Sequence, residues 1–396
     1  MKVNNPEVVV LSGVRTAIGT YGGSLKNHAP TDLAGTVVRE AMARADINPE
    51  RVGHCVFGHV VDSDPSDMYM GRVAAMKGGM SEKVPALTVN RLCGSGLQAL
   101  VSAAQQIETG ACDCVVAGGA ESMSRAVYWV PNARFGYRMG DGALVDAMVG
   151  ALTCPIEKIH MGITAENIAE KWGITREAQD QAAVASHNRA QHAIEQGYFK
   201  EQIVPIELLS RKGVTRFDTD EHVRHHCTLD DMAKLKPAFK KEGTVTAGNA
   251  SGLNDAAAAL VLMERQAAED QGLKPMARLL GYSFAGVEPK YMGIGPVPAI
   301  RQLLENANLS VTDIDIWEIN EAFAAQALAV AGDLEIPVDK LNPNGSGIAL
   351  GHPIGATGAI LAVKALHELK RIQGRYAVVS LCIGGGQGIA ALFERY

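Results

Sequence analysis

A broken rhythm restricts this chain's fold more than any other feature. Short Val- and Ala-rich runs alternate with helical stretches, the alternation stops in mid-chain, and then it resumes. Val8–Leu11 has the continuous apolar character of a strand covered on both faces. Thr31–Ala45 sets Asp32, Leu33, Val37, Val38 and Ala41 at helical spacing. Val52–Val61 reads as a strand and Met70–Met76 as a short helix. Ala86–Asn90 is strand-like and runs into Cys93-Gly-Ser-Gly. Gly96–Thr109 reads as a helix stopped by Gly110, and Cys114–Ala117 as a buried strand closed by Gly118-Gly119. This order predicts α/β layers.

Residues from about 125 to 250 are more polar. They carry charged helices such as Arg176–Gln196 and a charged loop, Arg211–Asp231. Such an excursion reads as an insertion or cap over the α/β body, and long excursions usually serve function. The rhythm resumes near Asn249. Ala256–Met263 fits strand or helix. Ala277–Ala285, Ile314–Ile319 and Tyr376–Cys382 read as strands, and Pro298–Ala307, Ala322–Gly332 and Gly355–Leu369 as helices. The 396 residues exceed a usual single domain of roughly 100–200, so two or three packed units are expected. Leu92-Cys-Gly-Ser-Gly is echoed by Leu381-Cys-Ile-Gly-Gly-Gly. The echo means either two similar halves sharing an interface or chance likeness between glycine-rich turns.

Composition excludes several classes. Lys+Arg 37 against Asp+Glu 43 gives −6 with no basic block, which disfavours a phosphate-neutralising nucleic-acid binder. The longest apolar run, Ala256–Met263, falls far short of the roughly 18–20 residues that span a bilayer. The start, MKVNNPEVVVLSG, lacks a signal-peptide pattern and reads as a first strand, so a soluble cytoplasmic protein is expected. Cysteines number seven, an odd count with no C-x-x-C, which disfavours a disulfide framework or a zinc ribbon. His222, His225, His226 and Cys227 match no standard zinc set and read as a solvated loop. His54 and His59 fall on a strand-like run and read as core or edge positions.

Four residues then stand out. Cys93 follows a strand and precedes a helix, where unpaired N–H groups and the helix dipole would favour its thiolate; a buried structural cysteine is the plain alternative. His352 lies among glycines 345, 347, 351, 355 and 358, so something must pack closely on its loop, and it could act as base or oxyanion donor. Cys382 resembles a strand-end turn before a helix, with Gly384–Gly386 offering backbone donors rather than a nucleotide site. Asn320 ends a strand and would serve at least as a helix cap.

Asn90-Arg-Leu-Cys-Gly-Ser-Gly, Gly118-Gly-Ala-Glu-Ser-Met-Ser, Gly248-Asn-Ala-Ser-Gly-Leu-Asn-Asp, Asn320-Glu-Ala-Phe, Gly351-His-Pro-Ile-Gly-Ala-Thr-Gly and Cys382-Ile-Gly-Gly-Gly occur in one order along the whole chain. Together they resemble the thiolase family. Within it the sequence is most similar to bacterial acetyl-CoA acetyltransferases and, closer still, to broad-range β-ketothiolases of polyhydroxyalkanoate synthesis. The resemblance implies a five-layered α-β-α-β-α fold with two pseudo-repeated halves. Residues 1–124 and 246–275 would form the first half, 125–245 a loop domain for CoA and tetramer contacts, and 276–396 the second half. It implies a homotetramer, reversible condensation and thiolysis of short-chain 3-ketoacyl-CoA with ping-pong kinetics, CoA and acyl-CoA as substrates, and neither metal nor resident cofactor.

By the same resemblance Cys93 is the nucleophile and His352 its activator. Asn320 would position a water, Cys382 would be the acid/base, and the N–H groups of Cys93 and Gly384 would form an oxyanion hole. His160, Met161, Arg224, Ser251, Met292, Ala322 and Phe323 fall on CoA-binding positions, with Leu152, Ala238 and Phe239 lining the pantetheine channel. A thiol's ordinary pKa would suit Cys382 with little tuning. The loop Pro155–Ile159 lacks the aromatics usual in narrow acetoacetyl enzymes, so it is expected to admit longer acyl chains. A degradative medium-chain thiolase and a non-catalytic lipid carrier are the alternatives. A decarboxylating ketoacyl synthase on this fold would lack Cys382.

Overall fold

The computed structural model describes residues 6–396 except residue 212; the first five residues of the expected N-terminal strand, and one position of the 211–231 loop, lie outside them. The first half opens with β1 (Val8–Thr16), α1 (Pro30–Arg44), β2 (His54–Gly58), α2 (Met70–Gly78), β3 (Ala86–Val89), α3 (Ser95–Glu108) and β4 (Cys114–Ser122). Within the excursion that follows, α4 is Met161–Lys171 and α5 is Arg176–Glu195. Then come β5 (Asn254–Glu264), β6 (Ala277–Gly286), α6 (Pro296–Ala307), β7 (Ile316–Ile319), α7 (Ala324–Leu334), α8 (Thr357–Ile372), β8 (Tyr376–Ile383) and β9 (Gln387–Arg395). The ambiguous Ala256–Met263 is therefore strand. It pairs with β1 and β4 on either side, so its apolar residues are covered on all sides.

Two sets of strands share one wiring. The first set runs β1-β5-β4-β2-β3 and the second β6-β9-β8-β7, continued by a bridge from Trp317 to Leu341. In each, the first two contacts are antiparallel and the last two are parallel. Among the described residues only Val9 and Val10, opposite Arg278 and Ala277, join the two sets edge to edge. α1 and α2 cover the outer face of the first set and α6 that of the second. Between them lie α3 and α8, and α8 touches strands of both sets. α8 is buried nearly all round, as a helix in a central layer must be.

The wiring corrects the internal echo. Cys93 follows β3, the third strand of its half in chain order, whereas Cys382 ends β8, the counterpart of β4. The counterpart of the Cys93 segment is the stretch after Leu341, which carries His352 and leads into α8. The counterpart of Cys382 is the end of β4, at Glu121–Ser122. Nor does a helix follow Cys382: Ile383 pairs with Gln387, so Gly384–Gly386 are the tip of the β8–β9 hairpin. Gly385 and Gly386 sit at φ of 83° and 84°, a tight turn that glycine adopts freely.

Among the described residues between 125 and 245 only Ile203–Val204 joins the main sheet, beside β1. The rest of the excursion holds α4, α5 and small hairpins, including Thr153–Cys154 against Ile159–His160. Among the described residues no helix is long and apolar enough to cross a membrane.

Candidate active site

The site forms where the two central helices begin. A Cβ on Gly96 would come within 2.6 Å of the Ala359 nitrogen, and one on Gly358 would overlap that of Leu97. Glycine on each helix thus lets the first turns of α3 and α8 meet backbone to backbone. What packs against the glycine-rich histidine loop is the other half of the molecule. The buried Glu121 ties the halves together, accepting from Gly355 N–H at 2.9 Å and from Val60 and Val61 N–H at 3.2 Å each.

Cys93 sits in a single 3-10 turn, Leu92–Gly94, just before α3. Leu92 is held at φ 46°, a left-handed conformation uncommon for leucine, with its N–H bonded to Asn90 Oδ1 at 3.0 Å. Burial pushes the thiol up to about 11, while the N–H groups of Gly384 and of Cys93 itself pull the other way. The helix-end stabilisation expected from sequence is therefore outweighed by desolvation, and the resting group is the neutral thiol.

His352 is buried and its N–H bonds Asn254 Oδ1 at 3.0 Å. Its Nδ1 meets Thr357 Oγ1 at 2.6 Å, and that hydroxyl donates to the Pro353 carbonyl at 2.9 Å. With its proton so used, Thr357 accepts from Nδ1–H, and Nε2 is left as the acceptor nitrogen. Burial lowers the imidazole to about 4, so it is a neutral acceptor near pH 7. Asn320 Nδ2 approaches Nε2 at 3.5 Å, and Asn320 Oδ1 is buried without a partner among the described residues. A buried orphan acceptor beside a base suits an ordered water.

Cys382 is fully buried among Cys154, Met161, Met292, Ala322 and Phe323. Burial pushes its thiol well above the ordinary range, and the nearby Cys93 adds to this. The expectation that Cys382 needs little tuning is thus overturned. A base at this place must be helped when it ionises.

A cavity of about 380 Å³ leads to these groups. His352 lines it together with Leu152, His160, Met161, Ala238, Phe239, Ser251 and Phe323, all singled out in the sequence. His160 stacks on Phe239 with ring centroids 4.8 Å apart, and its Nδ1 accepts Gly162 N–H at 3.0 Å, leaving Nε2–H free to donate. Ser251 N–H bonds the Ala322 carbonyl at 2.9 Å, fixing that wall. Met292 and Ala322 lie behind the lining, packed around Cys382. Arg224 is exposed beyond the cavity, and its guanidinium bonds the carbonyl of the lining residue Ala247 at 3.1 Å.

Sequence reasoning missed Asn254, Thr357 and Glu121 as supports, although each lies inside a quoted motif. Their partners are mostly far along the chain, 98 residues for Asn254–His352 and 234 for Glu121–Gly355, and spacing alone cannot report that. The loop Pro155–Ile159 is placed differently from the expectation. Pro155–Lys158 are the exposed tip of a hairpin, with Ile156 64% exposed, and none lines the cavity.

Two similar α/β halves, glycine-fused at the helix starts, with a histidine lining one cavity, an asparagine against that histidine and two cysteines packed behind the lining, define a class of cysteine-dependent acyl-transfer proteins. The chain belongs to the thiolase family: the thiolase N-terminal domain matches residues 8–266 and the thiolase C-terminal domain residues 273–395. It is 65% identical to Beta-ketothiolase BktB of Cupriavidus necator over 98% of this chain and 99% of that protein. It is 50% identical to an acetyl-CoA acetyltransferase of the same organism, over 98% and 99%. The crystal structure of the Bacillus anthracis acetyl-CoA acetyltransferase superposes with a TM-score of 0.97 at 48% identity, covering 99% of each chain. Human mitochondrial 3-ketoacyl-CoA thiolase in complex with CoA gives 0.96 at 43%, covering 99% and 98%.

Proposed function

We propose that this β-ketothiolase interconverts two acetyl-CoA with acetoacetyl-CoA and CoA, and takes propionyl-CoA with acetyl-CoA to 3-ketovaleryl-CoA, through an acyl-Cys93 intermediate. One observation carries the reading. The hairpin that bears Cys382 packs Ile383 and Gly384 against Gly94 and Leu92 on either side of Cys93, with the Gly384 N–H near that sulfur, which puts nucleophile, second thiol and oxyanion donor in one place.

In thiolysis Cys93 attacks the 3-keto carbon as its proton passes to His352 Nε2. The new imidazolium Nε2–H and a water held by Asn320 then face the developing oxyanion. The Cα–Cβ bond breaks, and its electron pair forms the acetyl-CoA enolate. Cys382 gives that carbon a proton. The N–H groups of Cys93 and Gly384 stabilise negative charge on the thioester oxygen, in a water-poor site where such donors act strongly. Incoming CoA gives its thiol proton to the Cys382 thiolate and attacks the acyl-enzyme. Acyl-CoA leaves, and Cys93 recovers its proton from His352. Two thiols and an imidazole thus move every proton. CoA and acyl-CoA are substrates, not held cofactors.

The exposed Arg224 suits a CoA phosphate, and the stacked His160–Phe239 wall suits pantetheine. The 125–245 segment acts as the loop domain between the halves 1–124 with 246–275 and 276–396. Its surface carries Phe135 90% exposed and Met139 99% exposed, with Tyr128 and Trp129 exposed as well, and this exposed apolar surface supports a homotetramer. A cytoplasmic, precursor-forming role in polyhydroxyalkanoate synthesis fits the short-chain reaction and the 65% identity to Beta-ketothiolase BktB. CoA-dependent thiolysis of 3-ketoacyl-CoA substrates with four, five and six acyl carbons tests the reading. Cleavage of the four- and five-carbon substrates, abolished in Cys93→Ser, is the expected outcome. No cleavage by folded protein would overturn it.

A further inference from the structure

The cavity's apolar lining divides between the two thiols. Met123, Ile354, Leu152 and Leu253 pack in one cluster with Cys93, Met148 and Val60. Met161, Phe239, Ala250 and Phe323 pack in another with Cys382. The chemistry treats the two ends of the substrate differently. The acyl group beyond the 3-keto carbon stays on Cys93, while the acetyl-CoA part departs from Cys382. The first cluster is therefore the place for the variable chain, and the second holds the thioester and pantetheine.

We infer that acyl chain length is set by Met148 and Val60, with Met123 and Ile354, and not by the Pro155–Lys158 tip. This rests on the thiolase reading above. Met148 lies in the short helix Ala147–Ala151, whose outer side carries the half-exposed Val149. Met148 itself is buried against Met123 and Ile354. Two unbranched, pliable methionines facing one another can change rotamer and open room for one or two further methylenes at small energetic cost. Val60 bounds the same cluster from the first half. Its backbone N–H bonds Glu121 at 3.2 Å, which keeps that wall fixed while the methionines adapt.

The test compares kcat/KM for 3-ketohexanoyl-CoA and acetoacetyl-CoA within each variant, so a uniform loss of activity cancels. Met148→Ala is expected to raise the six- to four-carbon ratio by about tenfold or more, the scale on which a hydrophobic pocket senses a methylene. Met148→Phe and Val60→Leu are expected to lower it similarly. Ratios within about twofold of the parent in folded Met148→Ala and Val60→Leu would overturn the assignment, as would a shift produced by Ile156→Phe alone. Failure of the parent to cleave acetoacetyl-CoA would instead count against the thiolase reading itself.

Discussion

At the scale of single residues, burial sets the chemistry. Cys93 is held as a thiol near 11 and His352 as a neutral base near 4, so the resting pair is uncharged. Neither group alone supplies a nucleophile at neutral pH. Together they do, because the imidazole can take the proton as the sulfur attacks. The consequence is visible in alkylation. Iodoacetamide needs the thiolate, so in His352→Asn the rate at Cys93 should climb with pH and level off only near 11. Native protein should be faster near pH 7 by on the order of 10², the usual contribution of a positioned base. The gap should narrow as hydroxide takes over at alkaline pH. Equal rates at neutral pH would show that His352 does not serve Cys93. The candidates themselves were legible in the sequence, because Cys, His and Asn stand in distinctive glycine settings. Their ionisation was not. The expected helix-end activation of Cys93 and easy titration of Cys382 both lose to desolvation, which depends on neighbours brought from distant parts of the chain.

At the scale of elements, glycine does most of the positioning. α3 and α8 cross at their first turns because Gly96 and Gly358 have no Cβ to separate them. This contact puts the Cys93 turn beside the His352 loop. Gly96→Ala would press a methyl against the backbone nitrogen of Ala359, where no flexible side chain can yield. A loss of roughly 1–3 kcal/mol or more is expected from such overpacking. Thermal unfolding should show it as a clearly lowered Tm, and an unchanged Tm would mean the helices are not in the contact described. The alternation of strands and helices was readable to within a few residues for most elements. Val8–Leu11 and Tyr376–Cys382, for example, are the cores of β1 and β8. The relation between the halves was not readable from local likeness. The Leu-Cys-x-Gly echo joined positions that the topology keeps distinct, since glycine turns look alike whether they lead into a helix or a hairpin.

At the scale of the whole molecule, a duplicated α/β body brings four loop or strand ends to its centre. They are the Cys93 turn, the His352 loop, the Glu121 end of β4 and the Cys382 hairpin. The excursion between residues 125 and 245 then supplies much of the cavity wall, through Leu152, His160, Met161, Ala238 and Phe239. This arrangement makes one claim above the others, that an acyl group rests on Cys93 between two half-reactions. The most direct measurement is the intact mass of the protein after mixing with acetoacetyl-CoA in the absence of free CoA. The account predicts one added acetyl group, located on Cys93, absent from Cys93→Ser and discharged when CoA is supplied. No adduct, or an adduct located on Cys382, would contradict it.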